Sequence, residues 1–267
     1  KNGVTKYPTI QLNDKKIVQP LEHLSVYTSE IGDYQGIAYD YIIRQFKNST
    51  EFQDKLPNFQ NMESFGYVLL QTPLEALNMV YPGPGDKLSQ LIREKNYDFD
   101  SKEFVGKAGL SRLMRYEETY KPPSRSKFEY RTDEFGRIFS RENIGKYSSK
   151  IKGICDSIMN STGIVLVYSQ YIDGGVVPLA LALEEMGFTR HGKVNSLFEK
   201  PPVDILNVKN YLPREKDDKR TTDFAPAKYI MITGDKLLSP DNNADIKAAT
   251  NVDNKYGHQV KVILISR

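Results

Sequence analysis

Apolar residues in the carboxyl-terminal half of this chain come in unalternating runs of about five. Ile164, Val165, Leu166, Val167 and Tyr168 form the first, Tyr229 to Thr233 the second, and Val260 to Ile265 the third. Runs of this kind, rich in β-branched and aromatic side chains, predict strands covered on both faces, as in a parallel sheet. The first is expected to be central. After it comes a polar turn, Ser169 to Gly175, ending in Gly174-Gly175, and then Pro178 opens an apolar helix that runs to Met186 and stops at Gly187. After the second run, Gly234-Asp235 leads into a helix expected to be capped by Ser239, with Pro240 behind it, and to continue to about Asp253. A turn at Tyr256-Gly257 precedes the third run. Strand, helix, strand, helix, strand predicts an α/β fold with right-handed crossovers.

Upstream the pattern is helical and more broken. A strand is expected over Val18 to Tyr27, then a helix from Gly32 to Phe46, where Ile37 and Tyr41 recur near helical spacing. Met62 to Val80 reads as a second helical stretch with a kink or fresh start at Thr72-Pro73, closed by the Pro82-to-Asp86 turn cluster. Short helices are predicted over Lys87 to Lys95 and Lys107 to Tyr116. Ser148 and Ser149 cap an amphipathic helix whose face is Ile151, Ile154, Cys155, Ile158 and Met159. Val194 to Pro226 is polar, proline-punctuated and charged, which predicts a surface insertion.

Composition narrows the class only a little. The 267 residues include 39% hydrophobic ones, enough for a sizeable core, and the polar amino end with no membrane-length apolar run predicts a soluble, intracellular protein. Thirty-seven basic against 34 acidic residues leave a net charge of +3, a mixed surface that does not by itself mark a nucleic-acid binder. Between Tyr120 and Arg137, however, Lys121, Arg125, Lys127 and Arg131 interleave with Tyr120, Phe128 and Tyr130. That pattern suits either a phosphate backbone or a solvated loop with an edge strand. The single cysteine, Cys155, lies on an apolar helix face and reads as core filler.

Candidate chemistry concentrates where the strands end. In an open α/β sheet the loops at the carboxyl ends of the strands meet ligands, which singles out Ser169, Gln170, Tyr171 and Asp173. Asp173 beside two glycines fits turn chemistry as well as a catalytic carboxylate. Gly187-x-x-x-x-Gly192-Lys193 has the spacing of a phosphate loop, but Val194 stands where Ser or Thr must bind magnesium, and Gly187 ends a helix instead of opening one. His23, His191 and His258 show no metal-ligand spacing, and no nucleophile elbow occurs.

The stretch GIVLVYSQYIDGGVVPLALALEEMGF, followed by KYIMITGDKLLSPDN and GHQVKVILISR, resembles the carboxyl-terminal RecA-like lobe of superfamily 2 helicases. It is most similar to the nucleocytoplasmic large DNA virus helicases akin to the poxvirus nucleoside triphosphatase used in transcription. YSQY looks like motif IV, ITGD like the next conserved strand end, and VILISR like the start of motif V. The resemblance implies a RecA-like parallel sheet with helices on both faces and a mostly helical insertion. It also implies an entry segment and first elements over 1–50, the insertion over 51–145, and the lobe itself over 146–267, cut within motif V as in an ordered fragment of a longer protein.

By the same resemblance Ser169 and Gln170, Thr233 and Gly234, and Ser266 become candidate contacts to a sugar-phosphate backbone. Small hydroxyls and free amides at such positions suit phosphate without reading bases. The family's nucleotide loop, its acidic magnesium motif and its arginine-bearing motif are not found in this sequence, so ATP and Mg are expected to act only in the intact enzyme. The expected partners are nucleic acid (DNA or RNA), a first RecA-like lobe of the same protein, and viral transcription machinery, with no membrane. The alternative is a non-catalytic RecA-like interaction module that binds viral polymerase or virion proteins.

Overall fold

The computed structural model describes residues 3–5, 15–16, 25–49, 70–83, 88–116, 128–192, 196–214 and 224–266. In chain order, β1 (Gly3–Thr5) and β2 (Val26–Thr28) pair antiparallel, and α1 (Asp33–Asn48) follows. Then come α2 (Gln71–Ala76), α3 (Leu88–Arg93), a 3-10 turn (Ser101–Phe104) and α4 (Gly106–Leu113). A second antiparallel ribbon is made by β3 (Met114–Tyr116) and β4 (Phe128–Tyr130). Short helices α5 (Thr132–Phe135) and α6 (Ile144–Tyr147) lead to α7 (Ser149–Asn160), whose amino end is capped by Ser148 Oγ, accepting from Ile151 N at 2.9 Å.

The sheet that organises the lobe is built from β5 (Val165–Tyr168), β6 (Thr189–Arg190), β7 (Lys228–Ile232) and β8 (Val262–Ile265), in the spatial order β5-β8-β7-β6, and every pairing is parallel. α8 (Val177–Glu185) links β5 to β6, and α9 (Asn242–Ala249) lies between β7 and β8. Alternation along the strands divides their side chains between two layers. Tyr229, Met231, Val262 and Leu264 face the main core with α7 and α8, while Ile230 and Ile263 face Ala249 and Val260 on the α9 side. The result is a parallel α/β sheet with helices on both faces, an arrangement consistent with a RecA-like lobe. All nine residues of α8 are buried, apolar around the helix up to Leu183, with Glu184 and Glu185 buried at its carboxyl end.

The helical segment upstream shares this core. Met79, Tyr81, Leu110, Leu113, Phe128 and Phe139 belong to the same buried cluster as the sheet. A second cluster, including Tyr41, Ile42, Val80 and Phe104, joins α1 to α2 and to the 3-10 turn. Gln35 bridges three elements: its Nε2 donates to Ala76 O at 2.8 Å and its Oε1 accepts from Ser149 N at 3.2 Å.

Several expectations are corrected. β5 is the edge of the sheet instead of its centre, and Leu166 and Tyr168 are 60% and 58% exposed. An apolar run of five does not distinguish a strand covered twice from one covered once. The helix after β7 is capped by Asp241, whose Oδ1 accepts from Ala244 N at 3.0 Å, because Ser239 turns inward to the strand end. The helix expected over Lys107 to Tyr116 ends at Leu113, where the chain pairs with β4.

The region read as a surface insertion puts Leu197, Phe198, Leu206 and Val208 into the core. The buried Glu184 carboxylate holds it there, accepting from Leu197 N at 2.6 Å, Phe198 N at 2.9 Å and the Tyr229 hydroxyl at 2.6 Å. Phe128 and Tyr130 also point inward, Tyr130 Oη donating to Glu185 Oε1 at 2.7 Å, so they are not a stacking platform. The basic residues of that stretch from Lys121 to Lys127, the helix expected over residues 62–69, the strand over 18–24 with His23, and Lys193-Val194 lie outside the described residues.

Candidate nucleic-acid interface

Register assembles the candidate residues. Tyr168 pairs with Ile265, and Ile265 pairs with Ile232, so the next residue on each strand, Ser169, Ser266 and Thr233, falls in one row across β5, β8 and β7. Backbone bonds extend the pairing into that row: Ser169 N donates to Ile265 O and Ser266 N to Ile232 O, both at 3.0 Å. With neighbouring strands about 4.8 Å apart, the row spans roughly 10 Å along the carboxyl edge of the sheet.

The members of the row differ in what they present. Ser169 Oγ accepts from Tyr171 N at 3.2 Å and so shapes the turn that follows β5. Gly175 is required beside it, since a Cβ there would collide with that hydroxyl. Gln170 is exposed at the tip. Thr233 is only 4% exposed, and its Oγ1 lies 3.0 Å from Ser239 Oγ and accepts from Asp235 N at 3.2 Å. Its side chain shapes the loop from below, while Gly234 sits exposed above it with nothing near the position a side chain would take. Ser266 is 6% exposed, and its Oγ has no hydrogen-bond partner among the described residues. An orphaned buried hydroxyl at a strand end is a group still owed a partner.

Behind the row, the loop after β5 is fixed from a distance. It continues as a π-turn over Ile172–Val176, and Tyr81 Oη donates to Asp173 O at 2.6 Å. Burial pushes the pKa of the Tyr81 hydroxyl well above its ordinary value, with the nearby Asp173 and Glu75 charges adding to it, so it stays protonated and able to donate. Glu75 is buried beneath the same turn. Burial raises its pKa and Asp173 raises it further, against a lowering by Gln71, whose Nε2 donates to Oε1 at 3.0 Å.

Two cavities flank the loop. The larger, about 930 Å³, is bounded by α1, α2, the start of α4 and residues 170–174. Glu75, Asp98, Asp100 and Asp173 line it against Lys102 and Lys107, an acidic balance that disfavours phosphate. The smaller, about 290 Å³, lies between α7 and the loop, with Lys150 as its one basic lining residue among those described. Lys150 Nζ donates to Asn78 Oδ1 at 2.6 Å, and burial lowers its pKa. Sequence reasoning singled out none of Lys150, Asn78 and Tyr81. Asn78 and Tyr81 lie some 90 residues from the loop they serve, and Lys150 reads as an ordinary helix-surface lysine.

Gly187 closes α8 at φ +93 with its amide donating to Glu184 O at 3.0 Å, an arrangement that ends a helix. Among the described residues no three His, Cys, Asp or Glu side chains are grouped to hold a metal ion, and no helix is long and apolar enough to cross a membrane.

Fold and row together define a parallel-sheet α/β lobe with its polar strand ends aligned along one edge. No family model matches the chain. It is similar to the termination factor NPH-I homolog of African swine fever virus (isolate Tick/Malawi/Lil 20-1/1983), with 27% identity over 128 residues. The match covers 45% of this chain and 18% of that protein, so the chain spans under a fifth of the relative it matches.

Proposed function

We propose that this chain is the second RecA-like lobe of a viral, ATP-dependent helicase or translocase acting in transcription, and that its carboxyl edge contacts the sugar-phosphate backbone of nucleic acid. The observation that carries the reading is the single row of Ser169, Ser266 and Thr233, with Gln170 and Gly234 exposed beside it. Its support from outside the structure is the similarity to a viral termination factor. Backbone amides and small hydroxyls at aligned strand ends bind phosphate oxygens without reading sequence. In this reading Gln170 and Gly234 touch the strand, Ser169 and Thr233 hold the two loops in shape, and Ser266 lies buried in the row between them.

The residues described here do not fit a nucleotide or its magnesium, since Gly187 ends a helix and no acidic group is assembled for a metal. ATP and Mg²⁺ are therefore assigned to a first lobe, and this lobe's part is to grip the strand. The test is ATP hydrolysis by the longer viral protein with and without single-stranded nucleic acid, alongside salt-dependent binding by this chain. Stimulation by nucleic acid, lost on Gln170→Glu, is the expected result. Hydrolysis indifferent to nucleic acid, with no salt-dependent binding by the chain, overturns the reading.

A second reading has its own observation. Leu166 and Tyr168 stand exposed on the edge strand, an apolar pair suited to a protein surface. As an interaction module the chain would bind a viral polymerase or virion protein through that edge and leave nucleic acid alone.

A further inference from the structure

We propose that the smaller cavity, between α7 and the loop after β5, receives one unpaired nucleobase of the bound strand, with Lys150 beside the neighbouring phosphate. The proposal rests on the nucleic-acid reading above and names a base subsite that backbone contacts alone do not require.

Size and chemistry both point to a base. At about 290 Å³ the cavity sits at the lower end of the ~300–1,000 Å³ typical of small-molecule sites, which suits a single planar heterocycle better than a whole nucleotide triphosphate. Its floor is apolar, from Ile151, Ile154, Val167, Leu179 and Leu264. Its rim is polar, from Asn78, Ser169 and Gln170. A nucleobase has that same division, with apolar faces and a hydrogen-bonding edge. Amide and hydroxyl groups, which donate and accept, satisfy any of the bases, so the subsite favours single strands without selecting sequence.

Charge separates this cavity from its neighbour. No carboxylate lines it among the described residues, whereas four line the larger one. Lys150 is exposed, and its ammonium is held by the neutral Asn78 amide, which leaves the positive charge uncancelled at the cavity. A phosphate arriving with the base meets that charge. Gln170 and Tyr171 line both cavities and form the ridge between them. Tyr168 and Tyr171 both line the smaller cavity, and Tyr171, which lines the larger one as well, stands on the ridge where a base leaving the row of strand ends would meet it.

The experiment compares the 267-residue chain on a short single strand and on the same strand with every base removed, each across a range of salt. The phosphates are unchanged, so both strands are expected to keep the same salt slope, while the abasic strand binds roughly tenfold more weakly. Tyr171→Ala should bind the two strands nearly alike. Equal affinity of the wild-type chain for both strands, with salt dependence intact, overturns the base subsite and leaves the backbone reading standing. A Tyr171→Ala variant that folds and keeps the full preference also overturns the subsite. Absence of salt-dependent binding to both strands overturns both readings. The abasic comparison needs no altered protein, so a variant that fails to fold does not remove the test.

Discussion

Tyr81 and Asp173 are 92 residues apart in sequence, yet the tyrosine hydroxyl donates to the aspartate backbone carbonyl at 2.6 Å. The bond ties the helical segment to the loop that carries Ser169 and Gln170, so the candidate interface is set by residues remote from it. Tyr81→Phe removes that hydrogen bond and should cost about 1–2 kcal/mol. Thermal unfolding should shift down by a few degrees, and binding to single-stranded nucleic acid should weaken with it. Unchanged melting together with unchanged binding would show that the clamp holds nothing.

Glu184 tests the segment that follows β6. Its buried carboxylate is the common acceptor for Leu197 N, Phe198 N and the Tyr229 hydroxyl. Glu184→Ala strands two amides and a phenol in the core and should destabilise by roughly 3 kcal/mol or more. Chemical denaturation measures it. A loss under 1 kcal/mol would mean that the region over 196–208 is held by its apolar contacts and backbone hydrogen bonds without the carboxylate.

Much of the lobe is legible in the sequence because its signals are local. Three apolar runs, the Pro178 helix start, the Gly187 stop and the Ser148 cap each depend on neighbours within a few residues, and the structure has all of them. What the sequence hid is non-local. Whether β5 is central or an edge depends on which strand pairs on its far side, and Ser239 could cap a helix or, as it does, bind Thr233 N and Met231 O across the loop. Ser169 and Gln170 are legible from their strand end, and Thr233, Gly234 and Ser266 only through the resemblance to helicase motifs. That its members align, and that Thr233 faces inward, needed the register and the burial.

Cys155 gives a prediction in pH. Burial raises its thiol pKa from 9.0 to about 12, so the folded state keeps the proton that the unfolded state releases. The group's contribution to stability is whole below pH 9 and is lost as pH rises through about 12. A thiol reagent at pH 8 should leave the native chain unlabelled and modify one cysteine after denaturation. Rapid labelling of the folded chain would contradict the buried placement.

Gly187 holds φ +93, and a Cβ there would lie 2.5 Å from Asp204 O. Gly187→Ala combines left-handed strain with that collision and should destabilise by roughly 2–4 kcal/mol. Gly192→Ala shares the positive φ but meets only Asp245 Oδ1 at 3.7 Å, and should cost less. Equal losses in the two variants, read by denaturation, would place the cost in backbone conformation alone.

The central claim is that the aligned strand ends bind a nucleic-acid backbone, and Gly234 offers the cleanest way to test it. The position is exposed, has an ordinary φ and has open space around it, so Gly234→Glu adds a negative charge beside the row without disturbing the fold. The measurement is the affinity of the wild-type chain and of Gly234→Glu for a single strand across salt concentration, with melting temperature as the control. If the strand ends grip phosphate, log affinity falls linearly with log salt in the wild type, at about −0.7 per phosphate contacted, and the variant binds several-fold more weakly at low salt with unchanged melting. Wild-type binding that ignores salt, or a folded variant that matches the wild type at every concentration, would contradict it.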